Sequence, residues 1–208
     1  MLGCGMLLPS APAAADADSA AGTSAPSFEI SPFAGYRVGG SFHDVDSNQS
    51  VSLDAHASFA LALDARADEG SQYEFFYSRQ SSVLSGSGFA PVDTTIQYLH
   101  IGGTVMLDQS QPRVQPYLAG GLGVTLLEPD SPGAHDDTRF SASLALGLRV
   151  PLSRNFQLRF EGRGYLTLMT SDAAIFCGSN QNGALCQIHA QGSTFFQFDF
   201  LAGVSFVF

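Results

Sequence analysis

The final fifteen residues of the chain, 194–208, alternate between apolar and mixed positions. Every second residue counted back from the end is apolar, whereas the residues between them are largely small or polar. A period of two places successive side chains on opposite faces of a β-strand. The pattern therefore predicts a terminal strand with one wetter face and one aromatic face, formed by Phe196, Phe198, Phe200, Ala202, Val204, Phe206 and Phe208.

Seven further segments alternate in the same way and are separated by turn residues. The pattern predicts eight strands in all, at 28–39, 57–66, 71–80, 94–107, 113–127, 138–150, 155–169 and 193–208. Each is about as long as the nine to eleven residues that a tilted strand needs to cross a bilayer, or longer.

The connections between these strands alternate strictly in length. Short connections occupy 67–70, 108–112 and 151–155, and long ones occupy 40–56, 81–93, 128–137 and 170–192. Outer-membrane barrels have short periplasmic turns and long external loops. With an even number of strands, this pattern predicts that both ends of the barrel chain lie in the periplasm. A soluble β-sandwich would have no reason to follow it.

Three segments and the aromatic C-terminus resemble a known group of proteins. The segments SPFAGYRVGGSF, PYLAGGLGV and FDFLAGVSFVF are similar in style to the small eight-stranded barrels of the bacterial outer membrane, which include the membrane domain of outer membrane protein A. The resemblance covers 28–208 and implies an all-β, antiparallel, up-and-down transmembrane barrel.

The same resemblance implies partners and a location. It implies an integral, monomeric protein of a Gram-negative outer membrane, surrounded by lipids and lipopolysaccharide. It also implies that the barrel assembly machinery reads the closing strand through Phe200, Ala202, Val204, Phe206 and Phe208. The partner of the external loops is left open.

Composition supports a barrel and argues against nucleic-acid binding. Only 13% of the 208 residues are charged, which suits a surface whose outer band faces lipid. The formal net charge is −10, and all nine basic residues are Arg. A chain without a basic patch cannot neutralise phosphates.

The N-terminus and the cysteines predict export. Residues 1–15 have the short apolar run and small residues that end a signal peptide, although no basic residue precedes them. Residues 16–27 are predicted to be a flexible segment before the barrel at 28–208. Cys177 and Cys186 lie close together in a polar loop, which predicts a disulfide formed in an oxidising compartment rather than a metal site.

Parity along the strands predicts which side chains face the lumen. On 94–107 the pattern is ambiguous, and we favour Leu99, Ile101 and Val105 outward, with Tyr98 and His100 inward. An eight-stranded barrel is just wide enough for side chains to fill it. The predicted interior is a network of nearly balanced charges: Glu29, Arg37, Asp64, Glu74, Arg149, Arg159, Glu161, Arg163 and Asp199.

Several functions remain open from the sequence. The favoured interpretation is a structural or surface-interaction protein with a filled lumen and no cofactor, metal or catalytic residue. One alternative is a narrow pore gated by exchange of Arg–Glu partners, and another is a lipid-modifying enzyme. The enzyme alternative would need a His and a Ser two positions apart on a late strand, and His189 has no such Ser. A soluble lipocalin-like carrier would place its apolar residues inward instead.

Acidic loop residues beside His135 could bind a divalent cation, but their spacing matches no known calcium loop.

Overall fold

A computed structural model describes residues 27–44, 49–85, 92–108, 113–130, 136–169, 174–180, 183–189 and 194–208. They form twelve strands: β1 (Phe28–Gly39), β2 (Ser41–Asp44), β3 (Gln49–Leu53), β4 (His56–Asp68), β5 (Ser71–Ser85), β6 (Val92–Met106), β7 (Gln115–Pro129), β8 (Asp137–Pro151), β9 (Phe156–Leu168), β10 (Ala174–Asn180), β11 (Gly183–His189) and β12 (Thr194–Val207). Within these ranges no helix is long and apolar enough to cross a membrane.

Eight of the strands close into an antiparallel barrel. Around the barrel the order is β1, β4, β5, β6, β7, β8, β9 and β12, and β12 pairs with β1 to complete the circle. Closure leaves no strand edge with unpaired backbone groups. The predicted fold class, an eight-stranded up-and-down barrel, is confirmed.

The two ends of the barrel differ in their connections. At one end, which we call the turn end, short turns join β4 to β5, β6 to β7 and β8 to β9. Gly70 in the first of these turns has a φ of 86°, a left-handed conformation that a side chain would strain. At the other end, which we call the loop end, the longer connections occur.

The loop end contains structure that the alternation did not predict. The predicted loop 40–56 contains the hairpin β2–β3, whose second strand pairs with the end of β5, and 170–192 contains the separate hairpin β10–β11. The predicted loop 81–93 is wrong in extent, because β5 continues to Ser85 and β6 begins at Val92. Here Ser81–Val83 still pair with Asp93–Thr95, so polar residues on both faces did not end the strand.

The two faces of the barrel are chemically distinct. On β8, Leu144, Leu146 and Leu148 are exposed on the outside, while Ser141 and Arg149 are buried in the lumen. The ambiguous strand β6 follows the favoured parity. Leu99, Ile101 and Val105 are exposed, and Tyr98 and His100 are buried. The outer face is therefore apolar, and a soluble carrier's inward apolar pattern is not observed.

Candidate functional site

The lumen of the barrel holds all nine charged residues that parity assigned to it. Strand alternation turns every second side chain inward, and these nine are the inward charges of β1, β4, β5, β8, β9 and β12. Every one is at least nine-tenths buried: Glu29, Arg37, Asp64, Glu74, Arg149, Arg159, Glu161, Arg163 and Asp199.

Towards the turn end, several charges of the same sign lie opposite one another on neighbouring strands. Three carboxylates form a row across β1, β4 and β5, because Glu29 pairs with Asp64 and Asp64 pairs with Glu74 in the strand register. Arg149 on β8 is likewise paired with Arg159 on β9. Like charges directly opposite one another on paired strands are destabilising. The stabilising partners must therefore come from the other wall of the barrel.

Arg159 and Arg163 supply these partners at the centre of the lumen. Arg159 Nη1 lies 2.6 Å from Asp64 Oδ2, and its Nη2 lies 3.3 Å from Glu74 Oε2. Arg163 Nη2 lies 2.7 Å from Glu74 Oε1, and its Nε lies 2.6 Å from Glu161 Oε1. Three of these four ion pairs therefore run from β9 across the lumen to β4 and β5, and the pair between Arg163 and Glu161 lies within β9.

Arg149 extends the network to the turn end. Its Nη1 lies 3.1 Å from both carboxylate oxygens of Glu29 but donates a hydrogen bond only to Oε1. Its Nη2 donates to Gln72 Oε1 at 2.7 Å, and Gln72 Nε2 in turn donates to Glu29 Oε1 at 2.8 Å. Glu29, Gln72 and Arg149 therefore form a triangle that spans β1, β5 and β8.

The connected cluster does not balance in charge. Three guanidinium groups, of Arg149, Arg159 and Arg163, face four carboxylates, of Glu29, Asp64, Glu74 and Glu161. One negative charge is left in excess when all four acids are ionised. Among the described residues, Glu29 Oε2 and Asp64 Oδ1 are buried carboxylate oxygens without a hydrogen-bond donor.

Arg37 and Asp199 form a separate pair nearer the loop end. The central guanidinium carbon of Arg37 lies 4.9 Å from the ring centroid of Tyr98 and 4.8 Å from that of Tyr165. These two rings stack on each other at 4.1 Å. Tyr165 and Ser58 also donate hydrogen bonds to Asp199. Both carboxylate oxygens of Asp199 therefore accept hydrogen bonds.

An apolar cluster covers the loop end of the lumen. Leu53 ends β3, Ile96 and Leu127 lie near the loop ends of β6 and β7, and Met169 and Phe195 flank the connection from β9 to β12. All five are buried in one cluster. The lumen is thus charged from the turn end to its centre, aromatic nearer the loop end and apolar at the loop end itself.

Two polar cavities lie at the ends of the barrel. The turn-end cavity measures about 360 Å³ and is lined by the turns and by Glu29, Gln72, Gln115, Arg149 and Gln157. The cavity at the loop end measures about 440 Å³ and is lined by β4, β5, β6 and the residue after β7. The described residues contain no group of three or more His, Cys, Asp or Glu that could hold a metal ion.

The lumen also contains a contact between a Ser and a His that the sequence did not predict. His100 Nε2 lies 2.8 Å from Ser141 Oγ, although 40 residues separate them in the chain and β7 lies between their strands. No spacing rule could have found a contact that forms across the lumen. Both side chains are buried inside the barrel, so a lipid substrate at the outer face cannot reach them. The contact is part of the lumen packing.

The remaining predicted positions lie on the hairpin and on the closing strand. The register of β10 and β11 places Cys177 opposite Cys186, and their disulfide stays a prediction. Of the five residues predicted as the assembly signal, Phe200, Ala202, Phe206 and Phe208 are exposed and Val204 is half-buried. Residues 1–26, with the predicted signal peptide, lie outside the described residues.

The closed eight-stranded sheet, the apolar outer face and the charged lumen define a membrane-spanning β-barrel. The outer membrane protein beta-barrel domain model matches residues 10–185, and the chain belongs to that family. It is therefore an integral protein of the outer membrane.

Solved structures show the same fold at low sequence identity. Neisserial surface protein A is 14% identical, with a TM-score of 0.58 over 86% of this chain and 96% of its own. Outer membrane protein AlkL, determined in lipid bilayers, is 16% identical, with a TM-score of 0.55 over 99% of this chain and 97% of its own. A comparison with curated protein sequences finds no match.

Proposed function

We propose that this protein is a closed outer-membrane barrel that presents its loop end at the cell surface for interaction with another molecule. In this arrangement the turn end and both barrel termini face the periplasm. Outer-membrane lipids and lipopolysaccharide surround the apolar outer face as the barrel's first partners. The barrel assembly machinery binds the closing strand during insertion.

The observation that carries this proposal is the filled lumen. Ion pairs from β9 reach across to β4 and β5, and Arg159 alone contacts Asp64, Glu74 and Glu161. Towards the loop end, the stacked rings of Tyr98 and Tyr165 and the apolar cluster occupy the rest of the lumen. Moving an ion through this interior would require buried pairs to separate, which costs about 3–5 kcal/mol.

The hairpins at the loop end of the barrel support a role at the cell surface. Two hairpins, β2–β3 and β10–β11, stand at the loop end, and β3 extends the barrel sheet by pairing with β5. Exposed acidic residues also gather at this end, among them Asp93, Asp130 and Asp136. Binding residues are commonly carried on loops that a rigid scaffold positions.

Single-channel recording in planar bilayers tests the closed lumen. The refolded full chain is expected to give no stepwise conductance across the usual voltage range. Regular conductance steps would overturn the proposal and favour the second candidate, a narrow gated pore. That candidate has one specific observation behind it, the excess negative charge of the lumen network, and it predicts a preference for cations.

An epitope test examines the orientation separately. A short epitope tag placed at 181–182, between β10 and β11, is expected to bind antibody on intact cells. The same tag placed at 153–154, in the turn between β8 and β9, should become accessible only after the outer membrane is permeabilised. The reverse result would invert the proposed orientation.

A further inference from the structure

The cavity at the turn end is lined by charges that do not balance. Glu29, Asp68 and Glu69 contribute three carboxylates, whereas Arg66 and Arg149 contribute two guanidinium groups. The network behind the cavity also has one carboxylate more than its arginines can neutralise. Both counts share Glu29 and Arg149, and both leave a negative charge. The cavity therefore favours a positively charged occupant.

Glu29 provides an acceptor for such an occupant. Its side chain is only 6% exposed and lines the cavity, and its Oε2 atom accepts no hydrogen bond although Arg149 Nη1 lies 3.1 Å away. A buried carboxylate oxygen that accepts no hydrogen bond is costly, so a well-placed donor in the cavity would be stabilising. The side-chain amides of Gln72, Gln115 and Gln157 lie in the same lining and offer further carbonyl oxygens.

Arg149 limits what else can bind. Its Nε atom is also buried without a hydrogen-bond partner, so it could donate to an oxygen atom of a ligand or of water. An anion, however, would have to enter beside Glu29 and the two carboxylates of the neighbouring turn. The local charge therefore disfavours an anionic ligand even though one donor is available.

Size and geometry select the kind of cation. At about 360 Å³ the cavity lies at the small end of ligand pockets, which run from about 300 to 1,000 Å³. The described carboxylates are too dispersed to hold a metal ion. A flexible chain with ammonium groups can instead reach several separated oxygens, because each ammonium has three donors.

We propose that the turn-end cavity binds a small organic cation with primary ammonium groups, of the size of an alkyl diamine, and that Glu29 is its main contact. This site does not depend on whether the lumen conducts. Because ion pairs fill the lumen beyond the cavity, the ligand binds there without passing through the barrel.

Titration calorimetry of the refolded full chain in detergent at low salt tests the site. The probe is 1,4-diaminobutane, compared with its uncharged analogue 1,4-butanediol, with succinate and with magnesium chloride. Saturable binding of the diamine and none of the diol or succinate is expected. Tighter binding of succinate, or equal displacement by Mg²⁺ at the same ionic strength, would overturn the proposal.

Three variants locate the binding within the molecule. Glu29→Gln keeps the size of the side chain and its hydrogen bonds to Gln72 and Arg149, and should weaken diamine binding at least about tenfold. Asp93→Asn, at the loop-end cavity, is the control and should bind like the parent chain. Gln157→Trp fills the turn-end cavity without changing any charge and should abolish binding.

The variants also separate loss of binding from loss of folding. Heat-dependent gel migration of each variant reports whether the barrel has closed. A folded Glu29→Gln variant with unchanged affinity would contradict the role of Glu29, and a folded Gln157→Trp variant with unchanged affinity would place the binding elsewhere.

Discussion

Arg37 and Asp199 are paired inside the barrel across β1 and β12, the first and last strands, where the sheet closes. Arg37 Nη2 lies 2.6 Å from Asp199 Oδ2, and both side chains are fully buried. Their Cα atoms are also partners in the strand register. The ion pair therefore links the first and last strands of the barrel inside the lumen, where the sheet closes.

Asp199→Asn should destabilise the barrel strongly, because it leaves the Arg37 guanidinium buried without a counter-charge. Breaking a buried pair in this way costs about 3–5 kcal/mol. Urea unfolding in lipid vesicles, followed by circular dichroism, measures the loss. Asp137→Asn breaks the partly exposed pair with Arg139 and should cost less than about 1 kcal/mol. Equal losses for the two variants would show that the Arg37–Asp199 pair does not stabilise closure.

Leu146→Arg should destabilise the inserted barrel by about 2–4 kcal/mol, the cost of a basic residue near the bilayer midplane. Leu146 lies in the middle of β8 with 60% of its surface exposed on the apolar face. Leu152 is similarly exposed but lies beyond β8 in the turn, so Leu152→Arg should cost about 1 kcal/mol or less. The same vesicle unfolding assay compares them, and a Leu146→Arg barrel as stable as the parent would contradict the lipid-facing assignment.

Gly102→Ala should destabilise the contact between β6 and β7. A Cβ atom at Gly102 would overlap the carbonyl oxygen of Gly120, which belongs to the backbone and cannot rotate away. Such overpacking costs about 1–3 kcal/mol. Gly120→Ala is the matched control, because its Cβ would lie 3.4 Å from Ser143 O, an ordinary contact. Thermal unfolding of both variants should separate them, and equal stability would mean that the two strands can move apart freely.

Cys177 and Cys186 should be oxidised in the exported protein. Their residues are directly paired in the hairpin β10–β11, which forms a sheet of its own. Free-thiol titration in denaturant, with and without a reductant, measures the bond, and two free thiols without reductant would contradict it. Because the hairpin is separate from the barrel sheet, the double change to Ser should leave the barrel's heat-dependent gel migration unchanged.

Much of the fold could be predicted because it depends on a period of two. The alternation of the last strand and of β8 separates a lipid face from a lumen face, and residues such as Leu146 and Arg149 follow it without exception. The end of β5 could not be predicted, since Ser81 and Ser82 are polar on both faces and stay paired beyond the apolar band. The hairpins β2–β3 and β10–β11 lacked a comparable apolar pattern.

The sequence by itself determined that nine charges point into a barrel too narrow to leave them hydrated, because side-chain direction depends only on parity along each strand. Only the tertiary structure decided which charges meet. The register places Glu29, Asp64 and Glu74 side by side, and closure brings three arginines from the other wall to pair with them: Arg149, Arg159 and Arg163. The contact between His100 and Ser141 has the same origin. Such pairs depend on strand stagger and barrel diameter, which are properties of the closed sheet and not of any one segment.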